Sequence, residues 1–288
     1  MRISNGLWVG VSLLCWHLSL AQNNATGAAT QSPQALTTAQ GTLDEIASKL
    51  EESYGYPITF EGPKYVFSGD LEDQTLRVRR DLWKYPPGQA PKVWGLVRNE
   101  VAIQVVSSSS VDPSYIEARL HEALDAQNQS GQGGRFRLEK DSMGFHILPS
   151  AVRNKDGEWV GDTAVLDTPI TIPPATRSAW EMISLIGHAV SAATGLKGGL
   201  MMGPSFTLRN VEGNWSAANE PARTVLERVL GDPQIQSNGW RYGWLEGSMP
   251  GRFGFSITVI PPAPTPASPP PPSNSGASGG AAAAPTAQ

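Results

Sequence analysis

Apolar residues recur at helical spacing in four places along the chain, and each run carries its own start and stop signals. Leu43, Ile46, Leu50 and Tyr54 follow Thr42-Leu43-Asp44-Glu45, a capping box in which the Thr hydroxyl takes one free helix N–H and the Glu reaches back. Gly55 ends that helix. Ile116, Leu120 and Leu124 follow Asp112-Pro113, an N-cap with proline at the first helical position. Ser178-Ala179-Trp180-Glu181 is a second capping box, opening a helix with Met182, Ile183, Ile186, Ala189, Val190 and Ala193 on one side and Gly195 as its stop. Asn219-Glu220-Pro221 starts the last helix, which presents Ala222, Val225, Leu226, Val229 and Leu230 and ends at Gly231.

Between these helices the pattern shortens to strand-like runs. Tyr56 to Phe60 is a short strand whose Pro57 places it at an edge or a strand start. Val101 to Val106 has the β-branched content of another. Arg135 to Lys140 and Phe145 to Leu148 form a hairpin turned at Asp141-Ser142-Met143-Gly144, and 151–162 a small ribbon turned at Asp156-Gly157. Further strands are predicted at Val165 to Ile172, Leu200 to Met202, Phe206 to Val211, Tyr242 to Glu246 and Phe253 to Ile260.

The second half mirrors the first. Each runs from a capping-box helix through a glycine stop into a short strand and ends in a similar hairpin. Arg135-Phe136-Arg137-Leu138-Glu139 with Asp141-Ser142-Met143 matches Arg241-Tyr242 with Leu245-Glu246-Gly247-Ser248-Met249. A duplicated unit of about 100 residues explains the match, with an insertion in the first copy at 71–94. Helices that bury one face belong on one side of mostly antiparallel sheets, so the fold class is α+β, as two tandem units. The expected division is a signal peptide at 1–21, a linker at 22–40, a first unit at 41–150, a connecting ribbon at 151–164, a second unit at 165–260 and a tail at 261–288.

The two ends change the picture. Met1 to Ala21 combines Arg2, an apolar run from Leu7 to Leu20 and a small-residue exit, the pattern of a secretory signal cleaved before Gln22. The run is shorter than the roughly 18 residues a membrane span needs. The tail is Pro, Ala, Ser and Gly without charge, so it is expected to be disordered and to act as a flexible spacer. A periplasmic or secreted location follows. Cys15, the chain's single cysteine, lies in the signal, which leaves no disulfide and no cysteine-bound zinc in the mature chain. The formal net charge is −4 and no long basic run occurs, which argues against nucleic acid as the partner.

Catalytic chemistry is not visible in the spacing. His121, His146 and His188 lie in different elements, and no pair of them sits at metal-ligand spacing. No Gly-x-Ser-x-Gly occurs, and the short Gly131 to Gly134 stretch lacks the surroundings of a phosphate loop. The expectation is therefore no catalytic residue, no metal and no cofactor. Two aromatic groups stand out instead. Arg77, Arg79, Arg80, Trp83, Lys84 and Tyr85 form either a binding patch or, more plainly, a solvated face with one packed Trp. Trp240, Tyr242 and Trp244 alternate on one strand, a docking surface if that face is bare and core if a helix covers it.

The stretch 168–230 carries a resemblance. Ile170-Thr171-Ile172-Pro173, the helix to Thr194-Gly195-Leu196, Asn210-Val211-Glu212-Gly213-Asn214-Trp215-Ser216 and Ala222-Arg223-Thr224-Val225-Leu226-Glu227-Arg228-Val229-Leu230 resemble the short N-terminal domain of secretins and TonB-dependent receptors. That family repeats an Ile-Pro strand, a helix ending in Thr-Gly, a strand and a second helix in this order. No pore or barrel domain accompanies it here, so what the resemblance implies is a periplasmic, non-catalytic interaction module, used in envelope assembly or partner docking. Its partner would be an envelope protein or, alternatively, a cell-wall glycan stacked on exposed Trp. An exported hydrolase is the third class.

Overall fold

The same pairing scheme occurs twice in the chain, once in each half. The computed structural model describes residues 36–107, 111–236, 240–245 and 252–259, with side chains described for these except at 236, 240–245 and 258–259. The signal, most of the linker and the tail lie outside the described residues, as does 246–249, with its part of the hairpin match.

The first half opens with β1 (Leu36–Gly41), α1 (Leu43–Tyr54) and β2 (Ile58–Phe60). An inserted segment follows with β3 (Leu71–Asp73), α2 (Thr75–Val78) and β4 (Trp94–Leu96). The half then resumes with β5 (Val101–Val106), α3 (Pro113–Ser130), β6 (Arg135–Lys140) and β7 (Phe145–Arg153). After β8 (Trp159–Gly161), the second half runs β9 (Pro169–Ser178), α4 (Ala179–Thr194), β10 (Lys197–Met202), α5 (Ser205–Asn210), β11 (Glu212–Pro221), α6 (Ala222–Leu230), α7 (Pro233–Gln236), β12 (Trp240–Leu245) and β13 (Arg252–Val259).

In the first half β1 and β5 form an antiparallel ribbon, while β2 runs parallel and β6 antiparallel to a central β7. The second half repeats this: β9 and β11 form the ribbon, and β10 runs parallel and β12 antiparallel to a central β13. Each half has its own hydrophobic cluster. One is built on Ile46, Leu50, Ile116, Leu120 and Phe145, the other on Met182, Ile186, Val225, Leu226 and Phe255. The architecture is α+β. In each half one helix touches both the ribbon and the central sheet: α3 contacts β5 and β6, and α4 contacts β9 and β10.

Local chemistry explains the helix ends. Glu45 Oε2 accepts from the Thr42 N–H at 3.0 Å, and Glu181 Oε2 from the Ser178 N–H at 2.9 Å. Gly55 and Gly195 stop the two helices at φ of 70° and 74°, a left-handed conformation open to glycine at little cost. The two boxes therefore open equivalent helices, α1 and α4.

Five expectations need correction. The linker was expected to reach residue 40, but β1 begins at Leu36. Its polar outer face hid a strand that needs only β5 as partner. The hairpin strand after Gly144 runs on through Pro149 to Arg153 and pairs with β8, so the ribbon grows directly from the first sheet. The strand expected from Val165 starts at Pro169, because 165–167 forms a 3₁₀ turn. Phe206 to Val211, read as a strand, is largely α5. A strand would put Phe206 and Leu208 on one face, but two positions apart on a helix they lie on different sides, and Leu208 is buried while Phe206 is 82 % exposed. Asn219-Glu220-Pro221 belongs to β11, and α6 starts at Ala222.

Candidate interaction surface and buried polar seam

The insertion carries two exposed tryptophans, Trp83 and Trp94, with Tyr65 exposed just before it and Phe206 exposed on α5 in the second half. Its β3–β4 hairpin is pinned from within: Gln74 Nε2 donates to the Leu96 carbonyl at 2.8 Å, and the Val93 N–H donates to Thr75 Oγ1 at 2.8 Å. Arg79 donates from Nε to Asp81 at 2.9 Å and from Nη2 to Tyr85 Oη at 2.8 Å, so it braces the loop instead of reaching outward. That contact holds Asp81 below the usual carboxylate range. Arg77 lies 3.9 Å from Glu72, and Arg80 is exposed. Trp83, the tryptophan expected to pack, is 80 % exposed, and Leu76 is 85 % exposed. Tyr65, Val78 and Trp94 are also exposed. The loop is thus pinned by its own hydrogen bonds while it keeps large apolar side chains in water.

A cleft of about 270 Å³ lies beside the insertion, at the start of α1, lined by Thr42, Glu45, Arg77, Leu96 and Arg98 among others. Its cationic wall is already satisfied, since Arg98 Nη2 donates to both Glu45 oxygens at 2.8 and 2.9 Å. That pairing disfavours an anionic ligand there.

Trp240, Tyr242 and Trp244 lie on β12 in register with Val259, Ile257 and Phe255. Ile257 and Phe255 are core residues. The side chains on β12 fall outside the described residues.

A second constellation lies between the halves. Arg223 of α6 places Nη1 2.5 Å from Glu61 and Nε 3.0 Å from Asp167, and Asp167 also meets Arg137 at 3.1 Å. Glu61 and Arg223 are both buried, and burial pushes the Glu61 carboxyl upward against the pull of the guanidinium. Beside them, Thr59 Oγ1 lies 2.8 Å from His146 Nδ1, and His146 Nε2 lies 3.0 Å from Asp141 and 3.8 Å from Glu227. Burial pushes His146 down toward its neutral form. For Asp141, burial is outweighed by His146 and by backbone N–H donors, so it stays below the ordinary range. Hydroxyl, imidazole and carboxylate stand here in the order of a hydrolytic triad, with Thr59 and His146 only 3 % and 2 % exposed.

The sequence did carry one signal for this seam. Arg223 falls on the apolar stripe with Leu226 and Leu230, and a charge inside such a stripe needs a buried partner. His121 and His188 are exposed. Among the described residues no helix is long and apolar enough to cross a membrane. No protein-family model, curated protein or solved structure matches the chain.

Proposed function

We propose that this chain is an exported, non-catalytic interaction module of the bacterial envelope, and that its inserted segment 71–94 docks an envelope protein. The observation that carries this reading is the exposure of Leu76 and Trp83, 85 % and 80 %, on a loop pinned by its own hydrogen bonds. A pre-ordered loop loses little further entropy on binding. The charged groups fit a protein partner of acidic and apolar surface. Arg80 is exposed, while Lys84 and Lys92 lie 5.4 and 5.2 Å from the Trp83 and Trp94 rings. The reading also draws on the resemblance of 168–230 to the short N-terminal domain of secretins and TonB-dependent receptors; the elements there run β9, α4, β10, α5, β11 and α6, with α4 closing at Thr194-Gly195.

Capture from envelope extracts tests the reading. Wild-type chain and a Leu76→Ser/Trp83→Ala variant of equal stability should differ by one discrete protein band, and equal recovery would overturn it.

A glycan ligand is the second reading, favoured by the same exposed indoles, which can stack on sugar rings. Quenching or a blue shift of tryptophan fluorescence on adding solubilised cell-wall fragments would support it. An unchanged spectrum would remove it.

A further inference from the structure

We propose that Asp141, His146 and Glu227 form a three-ligand site for a divalent transition metal, of the zinc class, that clips the two halves together. Their ligand atoms all lie within 4.8 Å of one another. Metal bonds of about 2.0–2.2 Å at tetrahedral angles place ligand atoms roughly 3.3–3.6 Å apart. The observed separations from His146 Nε2, 3.0 Å to Asp141 Oδ2 and 3.8 Å to Glu227 Oε1, bracket that spacing. Small side-chain rotations would close the site around an ion.

The supporting groups are those a metal ligand needs. His146 is fixed through its other ring nitrogen, since Nδ1 lies 2.8 Å from Thr59 Oγ1, and this directs Nε2 at the carboxylates. Asp141 Oδ1 accepts the Met143 and Gly144 N–H groups at 2.6 and 3.1 Å, which orients Oδ2 toward the imidazole. Two carboxylates and a neutral imidazole carry two negative charges, which a divalent cation balances. Imidazole and carboxylate donors without thiolate suit zinc or manganese. Asp141 is partly exposed, which gives the ion a route in and leaves a fourth position for water. Asp141 and His146 come from the β6–β7 hairpin of the first half and Glu227 from α6 of the second. Binding therefore ties the halves to each other, and because the unfolded chain lacks the site, binding adds to stability.

The test uses the purified chain stripped with EDTA and titrated with Zn²⁺, with Mn²⁺ and Ca²⁺ alongside, by calorimetry and thermal melting. One equivalent of Zn²⁺ should bind and raise the Tm. Glu227→Gln and Asp141→Asn, both close in shape to the native residues, should each weaken binding at least about tenfold and cancel the Tm rise. Thr59→Val should weaken it by about tenfold while keeping the stoichiometry. If His146→Gln fails to fold, the carboxylate variants still decide the matter. Absence of saturable binding, or equal affinity in the wild type and both carboxylate variants, would overturn the proposal.

Discussion

Arg223 on α6 and Glu61 just after β2 form an ion pair of 2.5 Å between the two halves, with both side chains buried. Removing one member leaves the other charge in a water-poor seam, where hydration no longer stabilises it. Arg223→Ala should therefore cost about 3–5 kcal/mol. Replacing both members with apolar residues of similar volume, Glu61→Leu with Arg223→Met, should cost far less, since Asp167 keeps Arg137 at 3.1 Å. Urea unfolding of the two single variants and the double one checks this. Additive losses would show that the pair is not coupled.

Gly187 on α4 faces Gly199 of β10, and a Cβ at position 187 would lie 2.8 Å from the Gly199 Cα. Gly187→Ala gains up to about 1 kcal/mol of helix propensity, but overpacking backbone against backbone costs about 1–3 kcal/mol. Net destabilisation is expected, read as a lower urea midpoint at unchanged slope. A stabilised variant would mean that α4 and β10 are further apart than described here.

The helix caps predict an acid-side loss of stability. Glu181 is held below its ordinary value near 4.5 by the Ser178 N–H and hydroxyl, and Glu45 is lowered by the Thr42 N–H. A depressed folded-state value means that the folded chain resists protonation at these sites. Their contribution is full above about pH 4.5 and is lost as pH falls through the lowered values. Glu181→Gln should flatten that part of the curve, measured as urea midpoint between about pH 6 and 3. An unchanged pH dependence in the variant would contradict the assignment.

The caps and both apolar clusters were legible because they depend on residues a few positions apart. Thr42 with Glu45 and Ser178 with Glu181 mark their helices without reference to the rest of the fold. β1 was not legible. Leu36–Gly41 is held by pairing to β5, and its exposed side chains carry no alternation. The seam was hidden for a related reason. Thr59, His146 and Glu227 converge only when β2, β7 and α6 are packed, so spacing along the chain says nothing of them. Composition leaves Trp83 open between a binding patch and a packed indole, because it does not say which indoles the fold leaves outside; in the fold Trp83 is exposed.

The exposed side chains of the insertion contribute little to folding. Trp83→Ala and Leu76→Ser should change stability by no more than about 0.5 kcal/mol. A larger loss in chemical denaturation would mean that these residues support the fold and would weaken their role as a docking surface.

Photo-cross-linking in cells tests the docking claim most directly. A photo-reactive aromatic residue is placed at position 83 or, as control, at the exposed position 125 on α3. Docking through the insertion predicts a discrete protein adduct from position 83, absent from position 125 and lost on adding Leu76→Ser. Adducts of equal yield from both positions, or a position 83 that reacts only with glycan or not at all, would contradict it.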